Sequence, residues 1–298
     1  MPHSPFRDLD PAARIGLTRV MRPVLIPIAA LFLLASCAGA PDFARIDADL
    51  RAAGKLRADR NPRDAPFDAG DLLENFARIG FGSEFAIVGG RYVALGRDET
   101  APLTRWAGPV RYTLVGDHDA EDAAEVRAFA GRLADATGLE IGPGARAPNL
   151  LIFFLEPEGR ARLAESFRAA PEYRPLLDLF EAWADDPAWP CAAEFYYRPA
   201  GDPDAYEIHF AAIYIRAEVS GLSRRSCIEE EMAQTMGLAR DDPEVRPSIF
   251  NDDEEFALMT GHDTALLRLL YDPRLSPGMT AAEALPVARR ILGLPEDR

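Results

Sequence analysis

The sequence predicts an α/β (α+β) domain, a mixed sheet sandwiched by helices and followed by a mostly helical C-terminal part. Three observations predict it. Asn149–Leu155 (N-L-L-I-F-F-L) is a continuous apolar run, the pattern of a strand buried on both faces. Ala120–Ala136 repeats Ala124, Val126, Phe129, Leu133 and Ala136 at three- and four-residue steps, an amphipathic helix that Thr137-Gly138 stops. Tyr206–Val219, rich in β-branched and aromatic residues, reads as a long strand leading into a short helix that ends at Gly237.

The first residues read differently. Arg22 supplies a positive start, Val24–Leu34 an apolar core, and Leu34-Ala35-Ser36-Cys37 resembles a bacterial lipobox. The apolar run is shorter than the ~20 residues of a transmembrane helix. Residues 1–37 are therefore expected to be a lipoprotein signal, with Met21 as the true start. Cys37 is the expected lipidated N-terminus, and Ala38 after it resembles an outer-membrane sorting signal. A plain secretory signal is the other reading. The expected location is the periplasmic side of the envelope, with the membrane as a partner through the lipid.

With 48% hydrophobic and 27% charged residues, the composition is that of a globular chain. The formal net charge of −15 argues against non-specific binding of nucleic acid. Without Arg7, Arg14, Arg19, Arg22, Asp8 and Asp10 of the leader, it becomes −17. Beyond Cys37, two cysteines remain, Cys191 and Cys227. In an oxidising compartment an even pair reads as a disulfide, and two free buried thiols are the alternative.

Residues 38–66 are polar and Arg/Asp-rich, with a helical patch around Phe43–Leu56, and read as a tether or peripheral helix. Residues 67–298 are expected to form one domain, with its core at 103–279. Leu72, Leu73, Phe76 and Ile79 mark a helix over Asp71–Ile79. Phe85–Val88 and Tyr92–Leu95 around Gly89-Gly90 predict a hairpin, and Val110–Val115 a strand. Gly159–Ala169 and Tyr173–Ala184 read as helices, Phe195–Tyr197 as a strand. Thr264–Tyr271 and Thr280–Ile291 read as the closing helices.

The stretch Ser226–Asp242 (S-C-I-E-E-E-M-A-Q-T-M-G-L-A-R-D-D) draws two explanations. In the first, Ser226 and Glu229 form an S-x-x-E capping box and Glu229, Glu230 and Glu231 lie in a first helical turn, where the dipole favours anions. Ile228, Met232 and Thr235 then make the buried stripe. In the second, Glu230 and Gln234 share a helix face four residues apart, with Glu231 about 100° round from Glu230. That is the geometry of H-E-x-x-H, where two histidines bind zinc and the glutamate activates water. Gly237 falls at the glycine of the extended zincin motif, Arg240 at its third histidine, and Ser248-Ile249-Phe250 at the Met-turn, with Phe250 at the methionine.

Glu230–Leu238 (E-E-M-A-Q-T-M-G-L), Arg246–Phe256 (R-P-S-I-F-N-D-D-E-E-F) and Leu267–Leu275 (L-R-L-L-Y-D-P-R-L) resemble the bacterial proteins catalogued as domain of unknown function 2927. The resemblance covers residues 227–279 closely and Leu103–Leu155 more loosely. It implies a metzincin-like (zincin-like) sandwich and no established activity.

The chemistry at those positions is altered. Zinc takes His, Cys or carboxylate in tetrahedral array, and only Glu230 among the ligand positions is a good donor. Gln234 is a poor one, and Arg240 carries a positive charge. Glu231 alone keeps the identity of the water-activating base, but without a metal it lacks the Lewis acid that makes water nucleophilic. An ion pair from Arg240 to Glu230 or Glu231 could fill the metal's place. His118, His209 and His262 are scattered over three elements. Asp241-Asp242-Pro243 and Asn251–Glu255 could attract calcium, but neither has the twelve-residue loop with its central glycine, and solvated acidic loops are the simpler reading. The expectation is an inactive zincin-like domain without cofactor or metal, acting in binding or scaffolding with an unidentified envelope protein or peptide. The alternative is a hydrolase using Glu231 with an unconventional metal.

Overall fold

A computed structural model describes residues 41–83, 85–88, 91–95, 100–170, 173–251 and 253–296; the leader, with Met21 and Cys37, lies outside them. Among the described residues the helices are α1 (Phe43–Ala52), α2 (Ala69–Ile79), α3 (Ala120–Thr137), α4 (Pro157–Ala169), α5 (Arg174–Asp185), α6 (Gly221–Gln234), α7 (Gly261–Leu270) and α8 (Ala281–Ile291). The strands are β1 (Phe85–Val88), β2 (Arg91–Ala94), β3 (Arg105–Trp106), β4 (Val110–Gly116), β5 (Ile141–Pro143), β6 (Leu150–Leu155), β7 (Cys191–Tyr197) and β8 (Glu207–Arg216).

The fold is the mixed α/β arrangement expected. β1 and β2 make a separate antiparallel hairpin. The main sheet runs β3-β8-β6-β4-β5 with all of these pairs parallel, and β7 adds antiparallel to β8. Alternation along the central strands builds two cores. Leu150, Ile152 and Phe154 of β6 join Phe129 of α3, Met232 of α6 and Leu266 of α7 on one face. Phe153 and Leu155 turn to the other face, under Leu176, Phe180 and Trp183 of α5. Burial on both sides is why β6 reads as an unbroken apolar run. No helix among the described residues is long and apolar enough to cross a membrane.

The disulfide expected from the cysteine count is present: Cys191 at the start of β7 bonds Cys227 of α6, with Cα atoms 5.8 Å apart. It ties the antiparallel strand to the helix that follows the sheet.

Three features differ from the sequence reading. Helix α6 begins at Gly221 behind Ser220, so Ser226 lies inside the helix and its capping box with Glu229 does not form. The acidic triplet therefore sits past the middle of α6, away from the favourable first turn, and only Glu231 reaches the last turn, where the dipole disfavours an anion by about 0.3–1 kcal/mol. Strands β3 and β5 are two and three residues long and had no periodic signature. Finally, residues 54–61, expected ahead of the domain, run as a strap along the 253–261 loop. Leu56 N–H donates to Glu254 O at 2.8 Å and Arg57 N–H to Glu255 O at 2.8 Å. Ala257 and Gly261 N–H return bonds to Arg57 and Arg60 carbonyls at 2.9 and 2.7 Å. Leu56 closes a small apolar cluster with Ala257 and Leu258.

Candidate functional site

The site grows from the end of α6. Ile228, Met232 and Thr235 are buried as the stripe predicts. The last carbonyls of the helix are satisfied by side chains from two other elements. Trp106 Nε1–H of β3 donates to Thr235 O at 2.8 Å, and the Tyr271 hydroxyl after α7 donates to Met236 O at 2.9 Å. Complete burial pushes that phenol well above its usual range. Gly237 then turns the chain at φ +112°, and a Cβ there would lie 2.1 Å from Thr104 O. The glycine of the motif is thus required by a backbone crossing as well as by its dihedral.

The motif positions fall as follows. Glu230 is half-buried, and Glu231 is buried at 6% exposure. Gln234 donates its amide N–H to both oxygens of Asp241, at 3.0 and 3.1 Å. Arg240 is 9% exposed and donates to the carbonyls of Ser83, at 2.9 Å, and Leu95, at 3.3 Å. Those two residues flank the β1–β2 hairpin, so the guanidinium spans its base. Phe250 is fully buried, its N–H bonded to Ser248 Oγ at 3.0 Å.

The residues that carry the heaviest electrostatics are others. Glu229 is fully buried and accepts from Arg60 Nη1 at 2.8 Å and Nη2 at 2.6 Å, from Arg132 Nη2 at 2.5 Å, and from Met259 N–H at 2.9 Å. Hydrogen bonding to Glu229 holds the Arg60 guanidinium above its usual pKa range. Asp263, also fully buried, accepts from Ser248 Oγ at 2.5 Å, Ile249 N–H at 3.2 Å and Thr260 N–H at 2.8 Å. It pins the Ser248–Phe250 turn to the start of α7. His262 beside it is fully buried, with Nε2 3.0 Å from the Asn75 amide and Nδ1 3.7 Å from Asp263. Thr260-Gly-His-Asp263 is a T-x-x-D cap that the sequence displayed. Glu229's role had no local signal, because Arg60 lies 169 residues away.

The acidic loops serve the fold. Glu255 pairs with Arg57 and Arg246, Asn251 bonds the Pro243 and Val245 carbonyls, and Asp242 faces Arg78 at 3.4 Å. His118 packs edge-on against Phe154 and His262 against Phe67. Among the described residues no three His, Cys, Asp or Glu side chains converge as a metal cage. With Gln234 engaged by Asp241 and Arg240 in the third position, the donors matching the motif do not fit zinc.

These features define a mixed α/β domain whose candidate helix ends in a carboxylate-rich, histidine-free segment. The chain belongs to the family described as Protein of unknown function (DUF2927), whose model matches residues 69–290. The strap lies ahead of the matched range. No curated protein and no solved structure matches the chain.

Proposed function

We propose that this protein is an envelope lipoprotein anchored through Cys37, whose zincin-like domain binds or scaffolds a protein or peptide partner rather than hydrolysing one. The observation that carries the reading is the chemistry of the three ligand-matching positions. Glu230 is a carboxylate, Gln234 gives its amide protons to Asp241, and Arg240 spans the hairpin base as a cation. A hydrolytic zinc site needs three His, Cys or carboxylate donors there and an open coordination position, and only Glu230 is of that kind. The surrounding frame supports a zincin-like domain: a mixed sheet with one antiparallel strand, β7, disulfide-bonded to a helix that ends at Gln234 and is followed by a turn at Gly237. The buried Ser248–Phe250 turn and the closing helix α7 follow in the expected order.

Two measurements test this. Radiolabelled-palmitate incorporation and membrane fractionation of the full chain should both be lost in Cys37→Ser. Metal analysis of purified residues 38–298 should find less than stoichiometric zinc, and chelation should leave the melting temperature unchanged. Stoichiometric zinc, together with peptide turnover that disappears in Glu231→Gln, would overturn the binding reading in favour of the hydrolase.

A further inference from the structure

We infer that residues 54–61 form a releasable strap, latched by Arg60 and coupled through Glu229 to the candidate helix α6. The strap is held along its length by different means. Its backbone pairs with the 253–261 loop through four hydrogen bonds. Its side chains end in two guanidinium contacts. Arg57 pairs with Asp59, Asp64 and Glu255 at the surface. Arg60 alone reaches inward, to a carboxylate with no exposure.

Only one of these contacts depends on α6. Arg60 supplies two of the four donors to Glu229, the others being Arg132 of α3 and the Met259 amide. Withdrawing Arg60 leaves a fully buried carboxylate in the second half of the helix with half its partners. The helix must then shift or hydrate to solvate that carboxylate. Conversely, neutralising Glu229 removes the strap's contact with α6, leaving Arg60 bonded to Met259 O at 3.0 Å, the backbone pairs, the Leu56 cluster, and surface ion pairs that are individually weak. The coupling is therefore reciprocal, as linkage requires. Glu230 and Glu231 follow immediately in the helix, so the state of the strap reaches the candidate site through adjacent backbone.

The strap's upstream end leads through α1 towards Cys37. Asp47 of α1 also accepts from Ser223 Oγ of α6 at 2.7 Å, a second link between this segment and the same helix. A pull or a cut near the N-terminus would act on Arg60 before it reached the sheet. That consequence rests on the proposed lipid anchor; the latch itself does not.

Hydrogen exchange on the full chain in detergent tests the latch, comparing wild type with Arg60→Ala, Arg60→Lys and Glu229→Gln. Arg60→Ala should speed exchange at least tenfold in 55–61 and in the last turns of α6, with α4 and α5 unchanged. Arg60→Lys, which keeps charge but loses the fork, should fall between. Glu229→Gln should loosen the strap in return. Faster exchange in the strap alone, no change in either segment, or a uniform rise over all helices would overturn the coupling. Failure of palmitate labelling in wild type would remove the anchor and leave the latch result standing.

Discussion

Glu229→Gln is the most direct probe of what holds the central helix. The carboxylate accepts three guanidinium N–H bonds and one amide N–H bond with no solvent exposure. Glutamine keeps the shape but offers one acceptor oxygen, so its NH₂ must face donors on one side. Either Arg60 Nη2 and Arg132 meet it, or Arg60 Nη1 and the Met259 amide do. A charge-assisted hydrogen bond is worth about 1 kcal/mol more than a neutral one, so weakening three of them costs about 3 kcal/mol. Arg60 and Arg132 side chains are 28% and 33% exposed, so the freed cations partly hydrate, which favours that lower figure over the ~5 kcal/mol of a fully buried pair. At about 2–4 °C per kcal/mol for a chain of this size, the midpoint should fall by roughly 6–12 °C. Thermal unfolding by far-ultraviolet circular dichroism measures it, with the exposed Glu165→Gln as a control expected within ~0.5 kcal/mol of wild type. A Glu229→Gln midpoint within about 2 °C of wild type would refute the hub.

Gly237→Ala should destabilise by about 3 kcal/mol or more, because the added Cβ meets Thr104 O at 2.1 Å on a left-handed backbone; a urea midpoint shift below ~0.5 kcal/mol would contradict this. Cys191→Ser with Cys227→Ser opens a loop between positions 36 residues apart, and chemical denaturation should report a loss of about 4 kcal/mol. Acid should loosen the strap before the rest. The Arg57 and Arg246 guanidiniums hold Asp59, Asp64 and Glu255 below the usual carboxylate range. Depressed folded values mean that this stabilisation is fully present above the unfolded values near pH 4 and is lost as pH falls through the folded ones. Exchange of 55–61 should therefore rise below about pH 4 while β6 stays protected; protection of both to lower pH would count against the assignment.

Where sequence and structure agree, local pattern carried the information. β6 and β8 are buried on both faces, so their apolar runs needed no context, and α3 carries its own stop in Gly138 at φ +74°. The cap of α6 lies six residues before the expected Ser226 for an equally local reason. Ser220 makes no side-chain cap, Gly221 at φ +62° has the character of a breaker, and Arg224-Arg225 has that of a loop, so Ser226 carries the stronger local start signal. Arg224 belongs to the helix because it forks onto Asp122 of α3 at 2.7 and 2.6 Å, a partner invisible at short range. The strap escaped for the same cause: its partners Glu255 and Glu229 lie 198 and 169 residues away. Of the candidate site, the positions Glu230, Glu231, Gln234 and Arg240 were legible from spacing, but the partners of Gln234 and Arg240 were not. An Asp seven residues on and two carbonyls of a hairpin have no sequence signature.

The misplaced start changes the argument about the acidic triplet. In a first turn, three glutamates would need no explanation beyond the dipole. Past the middle of the helix the dipole no longer favours them and opposes Glu231, so other elements must hold this end of the helix. Four do so independently. The disulfide fixes Cys227 to β7, Arg60 and Arg132 neutralise Glu229, Trp106 and Tyr271 cap Thr235 and Met236, and Thr104 leaves room only for glycine at 237. The ties come from the strap, α3, β7, the Thr104–Trp106 segment and Tyr271, and none of them requires an ion. This helix therefore rests on covalent, ionic and steric supports together, and losing any one of them leaves the other kinds in place.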